Sequence, residues 1–492
     1  MSFNYAEILQ RVVPETIVVV TALVVLTFNL LVKRTADRMS AALSSLGCML
    51  AIVWIWLAPN QGNILDGMLV VDPLTQFMKQ VLLGLTIFTA VISMPTRFTR
   101  HVGEYFALLL FASAGMMFLV SSENLLMIFV ALELVSLSLY VMVAFHKESL
   151  QSAEAALKYF LFGGMSAAFM LFGLSLVYGL TGEINLGAIA AKLAGQTTDP
   201  LILVALVMTL IGFGFKIAAV PFHLWAPDAY QGAPTPTAAL IAAGSKVASF
   251  FILAKIVMVG FKGAGGNGAF RNFHSGWIPV LAAMAALSMV LGNLAAISQS
   301  SVKRLLAYSA IAHGGYALLA IIANDPAAVG SLLYYIITYA ATVLGAFAVV
   351  DVVEQNGQGD KLSSFAGLSQ RAPLVSACMM VFMLSLAGIP PLAGFFGKFY
   401  VFVDALRFGA PRLGLLWLVV LAIGTSAISL YYYLQVLKQI YVANPIGGLP
   451  ALRIATPVRA AIVILAAIVV LLGCFPDLLV SHLFALMDQI RF

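Results

Sequence analysis

From Leu201 to Gly260 the chain reads LILVALVMTLIGFGFKIAAVPFHLWAPDAYQGAPTPTAALIAAGSKVASFFILAKIVMVG. Two apolar stretches flank a segment rich in Pro, Trp, Tyr and Asp, and each carries a lysine near its middle, Lys216 and Lys246. A charge at the centre of a bilayer costs about 2.5–3.5 kcal/mol on insertion scales and more in simulations, so such a residue is read as functional by default. Shortly after Lys216 comes Pro221, which lacks an N–H and clashes with the carbonyl four residues back. A helix broken at membrane depth is tolerated only inside protein or beside a water-filled cavity. A charge and a break this close together predict an ion path.

The wider composition agrees. Of 492 residues, 62% are hydrophobic and 9% charged, against about 25% charged in a soluble domain. Apolar runs recur along the whole chain, each about 20 residues long, the length needed to cross a bilayer. They predict an all-α polytopic membrane protein of about fourteen transmembrane helices, with bounds good to about 2–4 residues. The spans are expected at 14–32, 39–58, 73–94, 104–121, 124–144, 155–180, 201–221, 235–260, 277–298, 302–323, 329–350, 373–406, 414–437 and 458–480. The net charge of +6 would suggest nucleic acid in a soluble protein. Here the basic residues lie mostly in loops, where membrane orientation accounts for them, so a lipid bilayer and no nucleic acid is expected as partner. Cys48, Cys378 and Cys474 are scattered through apolar spans and read as small packers, with neither a metal-ligand spacing nor a disulfide framework.

Lys33, Arg34 and Arg38 follow the first apolar run instead of preceding it, which places the N-terminus outside. The run is too long for the apolar region of a secretory signal. With fourteen spans the C-terminus is outside as well. Inside segments then hold Lys33, Arg34, Arg38, Arg97, Arg100, Lys147, Lys303, Arg304, Lys361, Arg371, Lys438, Arg453 and Arg459, and outside segments hold Arg11, Lys192, Lys262, Arg271, Arg407, Arg412 and Arg491. The excess inside agrees with that orientation.

A second interrupted span, MLSLAGIPPLAGFFGKFYVF at 383–402, carries Pro390, Pro391 and Lys398. The breaks fall in the seventh and twelfth spans, an odd number apart, so the units around them face opposite ways. Inverted repeats with interrupted helices in matching positions point to a transport site. The expected division is three N-terminal helices over 1–103, a five-helix unit over 104–260, an inverted five-helix unit over 277–437, and a last helix at 458–480.

Among charges within spans, Glu133 is the most central carboxylate and, with Lys216, Lys246 and Lys398, is expected to act in proton transfer. Lys158 lies near a span end, where it either functions or snorkels to the interface. His313, in mid-span, and His223, just after the first break, are proton-relay candidates whose plainer reading is a satisfied interhelical hydrogen bond. Lys79 and Lys255 are expected to snorkel or to pair locally, and the serines and tyrosines of the spans to pack and to form hydrogen bonds. Lysine gives up its proton on burial far more readily than arginine. One central carboxylate suits H⁺ better than Na⁺, which favours several oxygen ligands. No haem, nucleotide or iron–sulfur motif is present.

The segment PFHLWAPDAYQGAPTPTAALIAAGSK closely resembles the signature of the antiporter-like membrane subunits of respiratory complex I, the NADH:quinone oxidoreductase. Two sister branches, subunits L and M, tend to read Leu-His-Thr-Trp-Leu-Pro-Asp here. VPE at 13–15, ALELVSLSLY at 131–140, EAALKYFLFG at 154–163, LAYSAIAHGGY at 306–316 and AGIPPLAGFFGKFY at 387–400 match as well. The resemblance implies that Glu133 and Lys216 form the ion pair of a proton channel, Lys246 is the central lysine and Lys398 the terminal group toward the outside, with Lys158 and His313 on the hydrophilic axis. It implies a subunit of the cell inner membrane with no cofactor of its own. NADH, FMN, iron–sulfur clusters and quinone would lie in partner membrane and peripheral subunits. The multi-subunit Na⁺/H⁺ antiporters share the same ancestry and are the alternative.

Overall fold

A computed structural model describes residues 5–32, 36–58, 62–95, 98–194, 199–269, 273–407, 414–444 and 452–487. Lys33, Arg34, Arg97, Arg271, Arg412 and Arg491, used above for orientation, lie outside the described residues. Among those described, twelve helices are long and apolar enough to cross a membrane. The seventh and twelfth spans are each two shorter helices, Pro200–Lys216 with Trp225–Gly232 and Pro373–Ala387 with Ala393–Arg407. The chain is therefore a multi-pass, all-helical membrane protein, apart from one short hairpin that the sequence reading missed. That hairpin pairs Gly62–Ile64 with Leu69–Val71 between the second and third spans.

Helix starts follow capping chemistry. Asp72, Asn124, Ser149, Asp199, Ser301 and Asp325 each accept a backbone N–H from the first turn that follows, satisfying donors that have no intrahelical partner. Ser149 starts the sixth span at Leu150, earlier than expected, and that helix runs to Thr181. Lys158 therefore lies about two turns inside it, not one. The eleventh span is also longer than expected, Pro326–Gln355. The fourteenth ends at Cys474, and a short helix Asp477–Met487 follows.

Burial divides the bundle. The first, sixth and fourteenth spans turn large apolar side chains outward, among them Leu23, Phe160, Leu161, Met165 and Ile464. The eighth (Thr235–Gly260), tenth (Val302–Ile322) and eleventh spans are almost wholly enclosed. The eighth also departs from a regular α-helix. Segments Ile241–Ser245 and Ile256–Gly260 are π-helical, immediately before Lys246 and immediately after Lys255. Such wide turns inside α-helices occur frequently at functional sites.

Candidate functional site

The seventh span stops being helical at Lys216 itself, so the break begins earlier than Pro221 implied. Ala218 adopts φ +56, and Val220–Pro221 is cis. The backbone groups freed there are taken up by protein. Trp225 Nε1 donates to the Phe215 carbonyl at 3.0 Å, and Val220 N donates to Ser288 Oγ at 2.9 Å. This is how interrupted backbone survives at membrane depth. Lys216 sits at the carboxyl end of its half-helix, the end that favours a cation. It is 7% exposed. Its Nζ lies 3.9 Å from Glu133 Oε1 and donates to Ser136 Oγ. Ser136 follows Glu133 by one turn, so carboxylate and hydroxyl share a helix face.

The next stations follow in space. Gly314, on the tenth span, lies where an added methyl would come 3.5 Å from the Ile217 carbonyl oxygen and 4.0 Å from Lys246 Nζ. The first break and the second lysine thus flank one glycine. Lys246, buried, donates to the Ala310 carbonyl. One turn further along, His313 pairs Nδ1 with the Tyr335 hydroxyl at 2.7 Å and Nε2 with the Tyr433 hydroxyl at 3.2 Å. Tyr433 also meets Ser309 Oγ at 2.5 Å. The His313 ring stands 5.7 Å from that of Tyr316, and Lys398 Nζ lies 5.2 Å from the centroid of the same Tyr316 ring.

Lys398 secures the second break. Gly388 turns the chain at φ +83, and Pro390–Pro391 is cis. Lys398 Nζ donates to the carbonyls of Leu386 and Ala387 at 2.9 and 3.2 Å and to Ser426 Oγ at 2.9 Å. Glu133, Lys216, Lys246, His313 and Lys398 therefore form one row through the bundle, crossing both broken spans. Serine and tyrosine hydroxyls, expected to pack and to hydrogen-bond but not singled out, make several of its links. For Ser136 the signal was present, one turn from Glu133.

Other candidates fall off the row. Lys158 is 41% exposed at the side chain and pairs with Glu154 at 2.6 Å and Asp228 at 2.8 Å; Arg304 holds the other Asp228 oxygen at 2.6 Å. His223 is half-buried, and its Nδ1 has no hydrogen-bond partner. Lys79 does not snorkel. It is fully buried against Glu15 of the first span, at 2.7 Å. Lys255 is buried and pairs with Glu123 at 2.9 Å. Lys303 and Arg304, read as loop charges, belong to the first turn of the tenth span and are bound to Glu354 and Asp228.

Residues 122–429 match the family described as "NADH:quinone oxidoreductase/Mrp antiporter, TM". That span includes both breaks and every residue of the row. A protein of Acidobacterium capsulatum named NADH-quinone oxidoreductase subunit N 2 is 51% identical over 495 aligned residues, covering 98% of this chain and 99% of that one. The chain belongs to the subunit N family of the NADH:quinone oxidoreductases. A member of this breadth also resembles proteins with other electron donors in their names. One from Methanosarcina mazei, named F(420)H(2) dehydrogenase subunit N, is 37% identical over 94% of this chain and 95% of its own length. A chain of respiratory complex I from Thermus thermophilus superposes with a TM-score of 0.78 at 34% identity, covering 96% of this chain and 99% of that one. Subunit N membership explains why the sequence holds to one pattern from end to end.

Proposed function

We propose that this chain is the proton-translocating membrane subunit of an NADH:quinone oxidoreductase, in which the buried row from Glu133 to Lys398 carries the proton. One observation carries the reading: Lys216, Lys246, His313 and Lys398 are buried, Glu133 is partly exposed at one end, and the row crosses both interrupted spans. Segments 104–260 and 277–437 act as two inverted units around it, each with a broken helix and a lysine at the break. Electrons pass from NADH through FMN and iron–sulfur clusters to quinone in partner subunits, and this chain holds none of these groups. The termini face the outside of the cell inner membrane, Lys398 serving the outside and the basic loops lying inside.

The pair of Glu133 and Lys216 is the switch. At about 4 Å and an effective dielectric near 20, such a pair is worth about 4 kcal/mol. Moving one charge against 100 mV takes about 2.3 kcal/mol. The pair is therefore of the size needed to gate that step. When Glu133 swings away, Lys216 loses the counter-charge that holds its proton and passes it on toward Lys246. Ser136 steadies the ammonium in the meantime.

The test is Lys216→Arg in the assembled complex, in membrane vesicles at matched complex content. Arginine keeps the charge but not the exchangeable proton, so redox-driven pumping is expected to fall about a hundredfold, the low end for losing a positioned proton-transfer group. Pumping at the wild-type rate would sink the relay.

A further inference from the structure

At the end of the bundle marked by the basic loops, segments 104–260 and 277–437 meet over a cavity of about 410 Å³. Gln231 and Thr235 line it from one side, Lys303, Asp351 and Glu354 from the other, with exposed His146 at the rim. Lys303, buried, donates to the Ala233 carbonyl at 3.0 Å, to Thr235 Oγ1 at 3.1 Å and to Glu354 Oε1 at 3.3 Å. The Thr235 hydroxyl donates to the other oxygen of Glu354. Asp351, one turn back on the same helix and 5% exposed, accepts from Gln355 Nε2 at 2.5 Å. The cavity is thus lined by two carboxylates and one ammonium. A structural lock needs one of each; the second carboxylate gives the cluster a place for a proton.

Behind the cavity lie two buried phenols whose hydroxyls make no hydrogen bond, Tyr230 and Tyr339. A buried polar group without a partner costs free energy and calls for an explanation. Tyr230 packs on Phe347, one turn from Asp351 on the eleventh span, with ring centroids 5.9 Å apart. The Tyr339 ring lies 4.9 Å from that of His313. Tyr339 lies about two turns before Phe347 on that same span. The two tyrosines step from the cavity to the middle of the buried row.

Resting on the proton-translocation reading, we propose that this cavity is the proton intake: Asp351 and Glu354, steadied by Lys303, take up protons from the basic end, and Tyr230 and Tyr339 pass them to His313. A proton from water bonds to a carboxylate oxygen. Each phenol then accepts one proton on its oxygen and releases the one it held, ending neutral, until the proton reaches an imidazole nitrogen of His313.

The experiment measures redox-driven pumping by the whole complex in vesicles, at matched complex content. Asp351→Asn with Glu354→Gln keeps shape and hydrogen-bond acceptors but takes up no proton; pumping is expected to fall at least about tenfold, toward the range for losing a positioned acid–base group. Glu354→Asp, which still titrates, is expected to pump near the wild-type rate. Wild-type pumping by the Asn/Gln variant, or failure of Glu354→Asp at matched assembly, overturns the proposal. Tyr230→Phe with Tyr339→Phe removes two hydroxyls that bond to nothing, so assembly is not at stake and the variant decides even if the carboxylate variant fails to assemble. Slowed pumping supports the route and wild-type pumping overturns it. Lys216→Arg is run alongside. If it is blocked while the cavity and tyrosine variants pump normally, the intake alone is wrong; if it also pumps normally, the relay reading fails first.

Discussion

Lys216 and Lys79 are both buried lysines facing a single glutamate, yet their surroundings differ at every other point. Lys79 meets Glu15 at 2.7 Å with both side chains fully buried, between two unbroken helices, the first and third spans. Lys216 meets Glu133 at 3.9 Å, with the glutamate 25% exposed, at the end of a half-helix and with Ser136 as a second partner. Beyond Lys216 comes Lys246 and the rest of the row. A lysine held at contact distance by a sealed carboxylate has nowhere to send a proton. A loosely held one, with an alternative partner and a polar row ahead, can exchange it. Burial of a charge therefore does not distinguish a lock from a relay, whereas slack and continuity do.

The largest expected effect is on the lock. Lys79→Met leaves Glu15 buried and alone, which typically costs about 3–5 kcal/mol. The purified complex should show lowered thermal stability, while pumping per assembled complex stays at the wild-type level. Reduced pumping with unchanged stability would erase the distinction. Replacing both partners, Glu15→Leu with Lys79→Met, should recover most of the loss, because a buried pair exchanged for apolar groups is often near neutral.

Next comes the relay pair. Glu133→Gln and Lys216→Met should each slow pumping about a hundredfold, equal to about 2.7 kcal/mol of barrier. Their combination should be little worse than either, since residues acting as a unit are not additive. Independent, multiplying effects would mean that the two residues act separately. The smallest effect is expected at the third pair. Lys255 is buried and Glu123 is 26% exposed, 2.9 Å apart, so loss of the carboxylate leaves a buried cation with water close on the glutamate side, a smaller penalty than in the sealed pair. Glu123→Gln should shift thermal stability slightly and leave pumping unchanged. A block of pumping there would add Lys255 to the relay.

Both broken spans were legible because proline and glycine act locally. Pro221 and the Pro390–Pro391 pair interrupt helical hydrogen bonding whatever surrounds them. Lys216, Lys246 and Lys398 were legible because a charge amid apolar residues stands out at any register. The exact end of the seventh helix at Lys216 was not, since it depends on Trp225 and Ser288 reaching across to the freed backbone groups. Nor were the π-helical turns beside Lys246 and Lys255, because their sequence is as apolar and as helix-prone as the α-helix between them.

What the sequence determined by itself is the medium, the number of crossings and the presence of costly charges at depth, because these follow from the transfer energies of single residues and from local backbone rules. What the tertiary structure decided is partnership. Lys79 faces Glu15 and Lys216 faces Glu133 only because of which helices pack together. His313 joins Tyr335 of the next span and Tyr433, 120 residues further along the chain. Hydrogen bonds and ion pairs act over a few ångströms, and residues that distant in sequence come within that range only when the bundle closes.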